Sequence, residues 1–321
     1  SHVRVAQTAG ETAPATPGTA SPEVINLCAN NYLGLADHPA VLAAAHEAID
    51  RWGYGLSSVR FICGTQGVHK DLEARVSQFL GTEDTILYSS CFSGNEGFFA
   101  SFVNEKLGVE HYRDVIYSDR LNHASIIDAT RLCRVEIVHR KIYEHADVSD
   151  LRKTLDTDRT SDYRFGFIAT DRVFSMEGDI APLPALIETA KEYGRILFVD
   201  DSHGVGACGV TGRGSPEHLG VHGKIDVLSG TLGKAMGGAA GGYITGKKDL
   251  ITYLRQKSRP YIFSNSLPPS VVKAAIEAFT LLEEDRSLVE KLRANTSYFR
   301  KHIQQLGFKI LEGTHPIVPI M

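Results

Sequence analysis

Between Thr85 and Thr245, short apolar runs alternate with stretches of helical period, and this alternation constrains the fold more than any other feature. The runs Thr85–Tyr88, Asp114–Tyr117, Arg164–Thr170, Ile196–Asp200, Asp226–Ser229 and Gly241–Thr245 have strand length and little polarity, as buried strands do. Helices are expected from about Gly94, Ser125 and Leu183. Two more precede them, Pro39–Trp52 stopped by Gly53 and His69–Leu80 closed by Gly81. Strands separated by helices predict an α/β fold, a mostly parallel sheet covered on both faces. Ligands of such sheets bind at the carboxyl ends of the strands.

The ends of the chain read differently. Residues 1–23, with Thr8–Pro22 mostly Ala, Thr, Pro and Gly, have no hydrophobic period and predict a flexible arm or extended strap. A short strand at Val24–Cys28 opens a large domain over residues 24–265. Pro268–Gln305 reads as largely helical and leads to Phe308–Leu311 and Ile317–Ile320, which look like strands. Residues 266–321 are thus expected to begin a small α/β C-terminal domain and to leave it incomplete, since the chain stops at Met321.

Composition excludes several classes of partner. The 321 residues carry a net charge of −4 with both signs mixed, so no basic field invites nucleic acid. Arg51, Arg60 and Arg75 are scattered, as on a solvated surface. Cys28, Cys63, Cys91, Cys133 and Cys208 are odd in number and lack paired spacing, which predicts reduced thiols in a cytoplasmic compartment (mitochondrial in a eukaryote) and no structural metal. No apolar stretch approaches a membrane span.

Two strands emit reactive side chains. Ile196–Asp200 is followed by Asp201-Ser202-His203, and Asp226–Ser229 by Gly230-Thr231-Leu232-Gly233-Lys234. An amine, a buried carboxylate and an imidazole are what pyridoxal 5'-phosphate (PLP) requires: Lys234 for its aldehyde, Asp200 for its ring nitrogen, His203 for its phenolic oxygen. The glycines around Lys234 leave a tight, desolvated slot that lowers the amine's pKa. A P-loop does not fit, because only Thr231 and Leu232 separate Gly230 from Gly233-Lys234 and Ala235 replaces the hydroxyl residue. Gly204-Val205-Gly206-Ala207-Cys208-Gly209 matches a dinucleotide fingerprint literally, but the Thr211–Pro216 stretch after it cannot begin a helix smoothly, and nicotinamide binding is rejected. Ser89–Asn95 joins a strand to a helix and offers free N–H groups to a phosphate. His123 opens another helix, placed to stack on an aromatic ring or simply to cap. Arg172, Glu177 and the Tyr143–His145 patch are read as surface.

Asn30-Asn31-Tyr32-Leu33-Gly34, Asn122-His123-Ala124-Ser125, Asp200-Asp201-Ser202-His203 and Ser229–Lys234 together resemble the α-oxoamine synthases, PLP-dependent transferases of fold type I. The resemblance runs from about Val24 to Met321 and implies condensation of an amino acid with an acyl-CoA, with loss of CoA. Within that family, Ser58–Gln66, Val173–Gly178 and Ser258–Ser266 look most like members that join glycine to acetyl-CoA. Other members of the family, and an impaired PLP-binding homologue, are the alternatives.

The resemblance also implies residue roles. Lys234 would carry the cofactor covalently, His123 stack over its ring, Asp200 pair with the pyridine nitrogen, and His203 and Ser175 bond its phenolic oxygen. Backbone amides of Cys91 and Phe92, with the Thr231 hydroxyl, would hold the phosphate. Ser264 and Asn265 would reach the phosphate in the other subunit, implying a homodimer with shared sites. Asn30 would help hold the glycine carboxylate. In the family a further arginine, far along the small domain, pairs with the substrate carboxylate, and the resemblance implies that its position would fall after Met321. Asn104–Arg113 is expected to add a surface loop.

Overall fold

The computed structural model describes residues 2–4 and 23–321, so the expected arm of residues 1–23 lies largely outside the described residues. Strands β1 (His2–Arg4) and β2 (Glu23–Ile25) pair antiparallel. Helices α1 (Pro39–Trp52) and α2 (Gly67–Leu80) precede the main sheet. Then follow β3 (Asp84–Tyr88), α3 (Cys91–Val103), β4 (Asp114–Asp119), α4 (Ala124–Arg131), β5 (Val138–Tyr143), α5 (Val148–Thr157), β6 (Gly166–Asp171), α6 (Leu183–Glu192) and β7 (Ile196–Asp200). The short α7 (Ser215–His218), β8 (Val227–Thr231), β9 (Gly242–Gly246), α8 (Lys248–Lys257), α9 (Arg259–Phe263), α10 (Pro269–Glu284) and α11 (Ser287–Gln305) complete the order.

The main sheet has seven strands among the described residues, ordered β3-β9-β8-β7-β6-β4-β5. Only β9 opposes the rest. The reason is the connection: residues 232–241 are too few for a parallel crossover, which needs roughly a dozen residues or more, so β8 folds straight back into β9. Lys234 lies on that return.

Pleating assigns side chains to the two faces. Ile116, Phe167, Ala169 and Phe198 pack beneath α3, α4 and α8, while Val115, Tyr117, Ile168, Leu197 and Val199 pack on the other face with α5 and α6. The first layer centres on aromatics, with Phe198 4.8 Å from Phe98 and 4.9 Å from Phe99 between ring centroids. Each such ring contributes about 1.5–3 kcal/mol by burial. A third cluster joins α1, α2 and α10 around Leu72, Phe79, Val272 and Phe279.

The predicted parallel α/β sheet is present, with corrections. Strand β5 and helix α5 escape a search for apolar runs, because β5 lies at the sheet edge and carries His139, Arg140 and Lys141. Tyr143, read as surface, is buried at the end of β5. Arg172, also read as surface, is 0% exposed and donates to the Ala181 carbonyl at 2.9 Å. Arg60 is likewise not solvated: it is 6% exposed and pairs with buried Glu73 at 2.6 Å. The two expected C-terminal strands reduce to one antiparallel bridge, Ile310 with Ile320. Residues 104–113 do form a loop, exposed from Leu107 to His111. No helix among the described residues is long and apolar enough to cross a membrane.

Candidate active site

The register of the parallel strands builds the site. Asp171 at the end of β6 lies level with Asp200 at the end of β7, and Asp200 level with Ser229 of β8. The N-terminus of α3 closes in from β9, where only glycine fits: a Cβ on Gly242 would lie 2.1 Å from the Cys91 nitrogen. Between these parts is a cavity of about 190 Å³, lined by Cys91, Phe92, His123, Ser175, Thr231 and Lys234 along with Asp171, Asp200 and His203.

Asp200 is 5% exposed and held by three donors. Asn95 Nδ2 donates to its Oδ2 at 2.7 Å, Cys91 Sγ to the same oxygen at 3.6 Å, and the Ser202 amide to Oδ1 at 2.9 Å. Burial alone pushes its pKa up, but the donors from Ser202 and Asn95 and the Lys234 charge outweigh that and hold it below the usual carboxylate value. The group is a buried anion. Asp171 behaves oppositely: burial, and then repulsion from Asp200, push it well above that value.

Lys234 Nζ lies 2.8 Å from His203 Nε2, and His203 Nδ1 lies 2.8 Å from Tyr32 Oη. Burial lowers the Lys234 pKa, against the pull of Asp200, and so favours the free amine relative to an exposed lysine. Burial, then the Lys234 charge, pull His203 down to about 3, which makes it a neutral imidazole. His123 is locked by its neighbours. Its Nδ1 accepts from the Ser125 amide at 3.1 Å and meets Ser125 Oγ at 2.8 Å, and Asn95 Nδ2 donates to that same hydroxyl at 2.9 Å. One asparagine thus ties the Asp200 carboxylate to the His123 ring.

At the start of α3, Ser90 Oγ accepts from the Ser93 amide at 3.1 Å, and Cys91 and Phe92 are the first two residues of the helix, the end whose dipole favours an anion. Thr231 Oγ1 donates to the Gly241 carbonyl at 3.2 Å and accepts from the Gly233 amide at 3.1 Å, closing the turn that presents Lys234. An amine, a buried carboxylate, a fixed imidazole and a helix start around one cavity fit an aldehyde-bearing aromatic phosphate.

Eight expected residues come together there: Cys91, Phe92, His123, Ser175, Asp200, His203, Thr231 and Lys234. Asn30 is exposed and accepts from the Tyr32 hydroxyl at 3.1 Å. Ser264 and Asn265 line a different recess, with Arg60 and Tyr261. Sequence reading gave no role to Asn95, Ser125, Asp171 or Tyr32. Asp171 had a signal, since it ends an apolar strand as Asp200 does. Asn95 sits one helical turn after Cys91, which puts both on one face.

Residues 22–321 match the family model for aminotransferase class I and II. The chain belongs to that family. Among family relatives, it is 48% identical over 298 residues to the mitochondrial 2-amino-3-ketobutyrate coenzyme A ligase of Bos taurus, covering 93% of this chain and 68% of that one. It is 49% identical to the Escherichia coli K12 ligase of the same name, covering 93% and 72%. A solved serine palmitoyltransferase from S. paucimobilis with bound PLP–myriocin aldimine superposes with a TM-score of 0.85 at 30% identity, covering 93% of this chain and 75% of that one. The family places this fold among PLP-dependent transferases, as the motifs implied.

Proposed function

We propose that this chain is a PLP-dependent acyltransferase that condenses glycine with acetyl-CoA to give 2-amino-3-ketobutyrate and CoA. One observation carries the reading: Lys234, Asp200, His123 and the α3 N-terminus converge on a single cavity in a chain 48–49% identical to ligases of that name. When bound, PLP supplies an electron-accepting ring that stabilises charge on the amino acid's α-carbon.

The chain's own residues do the rest. Lys234 Nζ would hold the cofactor covalently and, once free, would take the α-proton, a role that the downward shift of its pKa by burial favours. Asp200, fixed as an anion by Asn95 and Ser202, pairs with the ring nitrogen. His123 stacks on the ring in the orientation that Ser125 sets. His203 and Ser175 bond the phenolic oxygen, and the Cys91 and Phe92 amides with Thr231 hold the phosphate. Asn30 helps orient the glycine carboxylate. Ser264 and Asn265, outside their own chain's cavity, serve the site of a second copy, so the active unit is a homodimer. Exposed Phe61, Ile62 and Phe263 supply apolar surface for that contact. Five free cysteines fit a reducing compartment, cytoplasmic in a bacterium or mitochondrial in a eukaryote.

The test is thiol release by the PLP-loaded protein given glycine with acetyl-, succinyl-, pimeloyl- or palmitoyl-CoA. Fastest release with acetyl-CoA supports the reading; preference for a longer acyl chain transfers the protein to a sibling activity.

A further inference from the structure

We infer that His315, on the segment after α11, is a positioning residue that sets His203 and, through it, Lys234. The inference rests on the PLP-dependent reading of the site. His315 is 1% exposed and lies outside every motif that marks the cavity. Its Nε2–H donates to the His203 carbonyl at 2.8 Å, and its Nδ1 accepts from the Ile317 amide at 3.1 Å. Both ring nitrogens of the neutral tautomer are therefore satisfied, and neither can rotate away without leaving a buried polar group unpaired.

A second route leads to the same histidine. The His315 ring meets Tyr32 edge-on, 5.7 Å between centroids at 87°, and the Tyr32 hydroxyl holds His203 Nδ1 at 2.8 Å. His315 thus fixes the His203 backbone directly and its ring through Tyr32. His203 Nε2 then faces Lys234 Nζ at 2.8 Å. The charged or titratable groups around His203 are Lys234, Tyr32, His315, Asp200 and His123; around His315 they are His203, Tyr32, Arg172, Arg300 and His218.

The segment carrying His315 is itself anchored. Arg300 of α11 donates to the carbonyls of Leu311 at 2.9 Å, His315 at 3.0 Å and Ile317 at 2.7 Å. The Ile317 carbonyl also abuts Gly178, where a Cβ would come within 3.0 Å, next to the loop that carries Ser175. A chain element remote in sequence is in this way latched onto two loops of the cavity.

The experiment follows the visible band of the PLP-loaded protein through a pH titration, with kcat, KM and thermal midpoint measured on the same samples. His315→Phe should move the band's midpoint and lower kcat about tenfold, as loss of an outer partner of a site residue does, with KM for glycine nearly unchanged. His315→Gln, which keeps an N–H donor, should restore the wild-type midpoint. In a His203→Phe background, His315→Phe should move the midpoint no further. A variant that is less stable but keeps the wild-type midpoint and kcat overturns the inference, as does an equal shift in the His203→Phe background. If His315→Phe does not fold, Arg300→Met, which frees the same segment, is read by the same two criteria. A wild-type protein that shows no visible band with PLP refutes the proposed function instead.

Discussion

Asn95 Nδ2 donates at 2.7 Å to Asp200 Oδ2 and at 2.9 Å to Ser125 Oγ, so a single amide holds both the carboxylate and, through the Ser125 hydroxyl, the His123 ring. Neither of those two residues reaches the other directly. Asn95→Leu keeps the side chain's bulk and removes both bonds. It should lower kcat by about 10- to 100-fold, the usual range for such supporting partners. Stability should fall by about 1–3 kcal/mol, from the acceptors left unpaired. Steady-state kinetics and thermal melts check both numbers, and an unchanged kcat contradicts the linkage.

Glu73 is the second prediction. It is buried and receives Arg60 at 2.6 Å, Lys70 at 2.7 Å and Arg255 at 3.1 Å. The Arg60–Glu73 part of this cluster lies beside the recess lined by Ser264 and Asn265. Glu73→Ala leaves the buried Arg60 guanidinium without its carboxylate and should cost about 3–5 kcal/mol. Urea denaturation measures it. A loss under about 1 kcal/mol, the scale of an exposed pair, means that the cluster is solvated.

Stability should also depend on pH in a stated direction. Burial is the main cause that holds His203 at about 3 and His315 at about 4. In the unfolded chain each takes up a proton near pH ~6.5. As pH falls below that value the unfolded state binds more protons than the folded one, so stability is lost, by up to about 1.4 kcal/mol per unit for each histidine. His145 acts the other way. Burial lowers its pKa, but Asp119 at 3.0 Å and Asp179 at 2.7 Å raise it further, so its contribution is present below pH ~6.5 and lost as pH rises. Melting temperatures from pH 7 to pH 5 should fall, and His315→Gln should flatten the slope. An equal slope in that variant contradicts the assignment.

The fold was legible wherever burial leaves a run of apolar residues. Ile196–Asp200 is a strand with the bounds its sequence suggests, and Pro39–Trp52 is a helix with its expected ends. Legibility failed at the edge of the sheet, where β5 needs only one buried face and can carry Arg140 and Lys141. It failed again for buried cations: Arg60 and Arg172 look like surface residues because pairing and carbonyl contacts are invisible in sequence. Within the site, residues that end strands or open helices could be read from position. Asn95 and His315 could not, since each acts through a contact that only the tertiary structure makes.

The proposed chemistry depends on Lys234 as the covalent anchor. Borohydride reduction of the PLP-loaded protein, followed by proteolysis and peptide mass mapping, tests this most directly. The pyridoxyl adduct should fall on Lys234 alone and should vanish, together with the visible band and turnover, in Lys234→Ala. An adduct on another lysine, or a Lys234→Ala protein that keeps its visible band and full turnover, contradicts it.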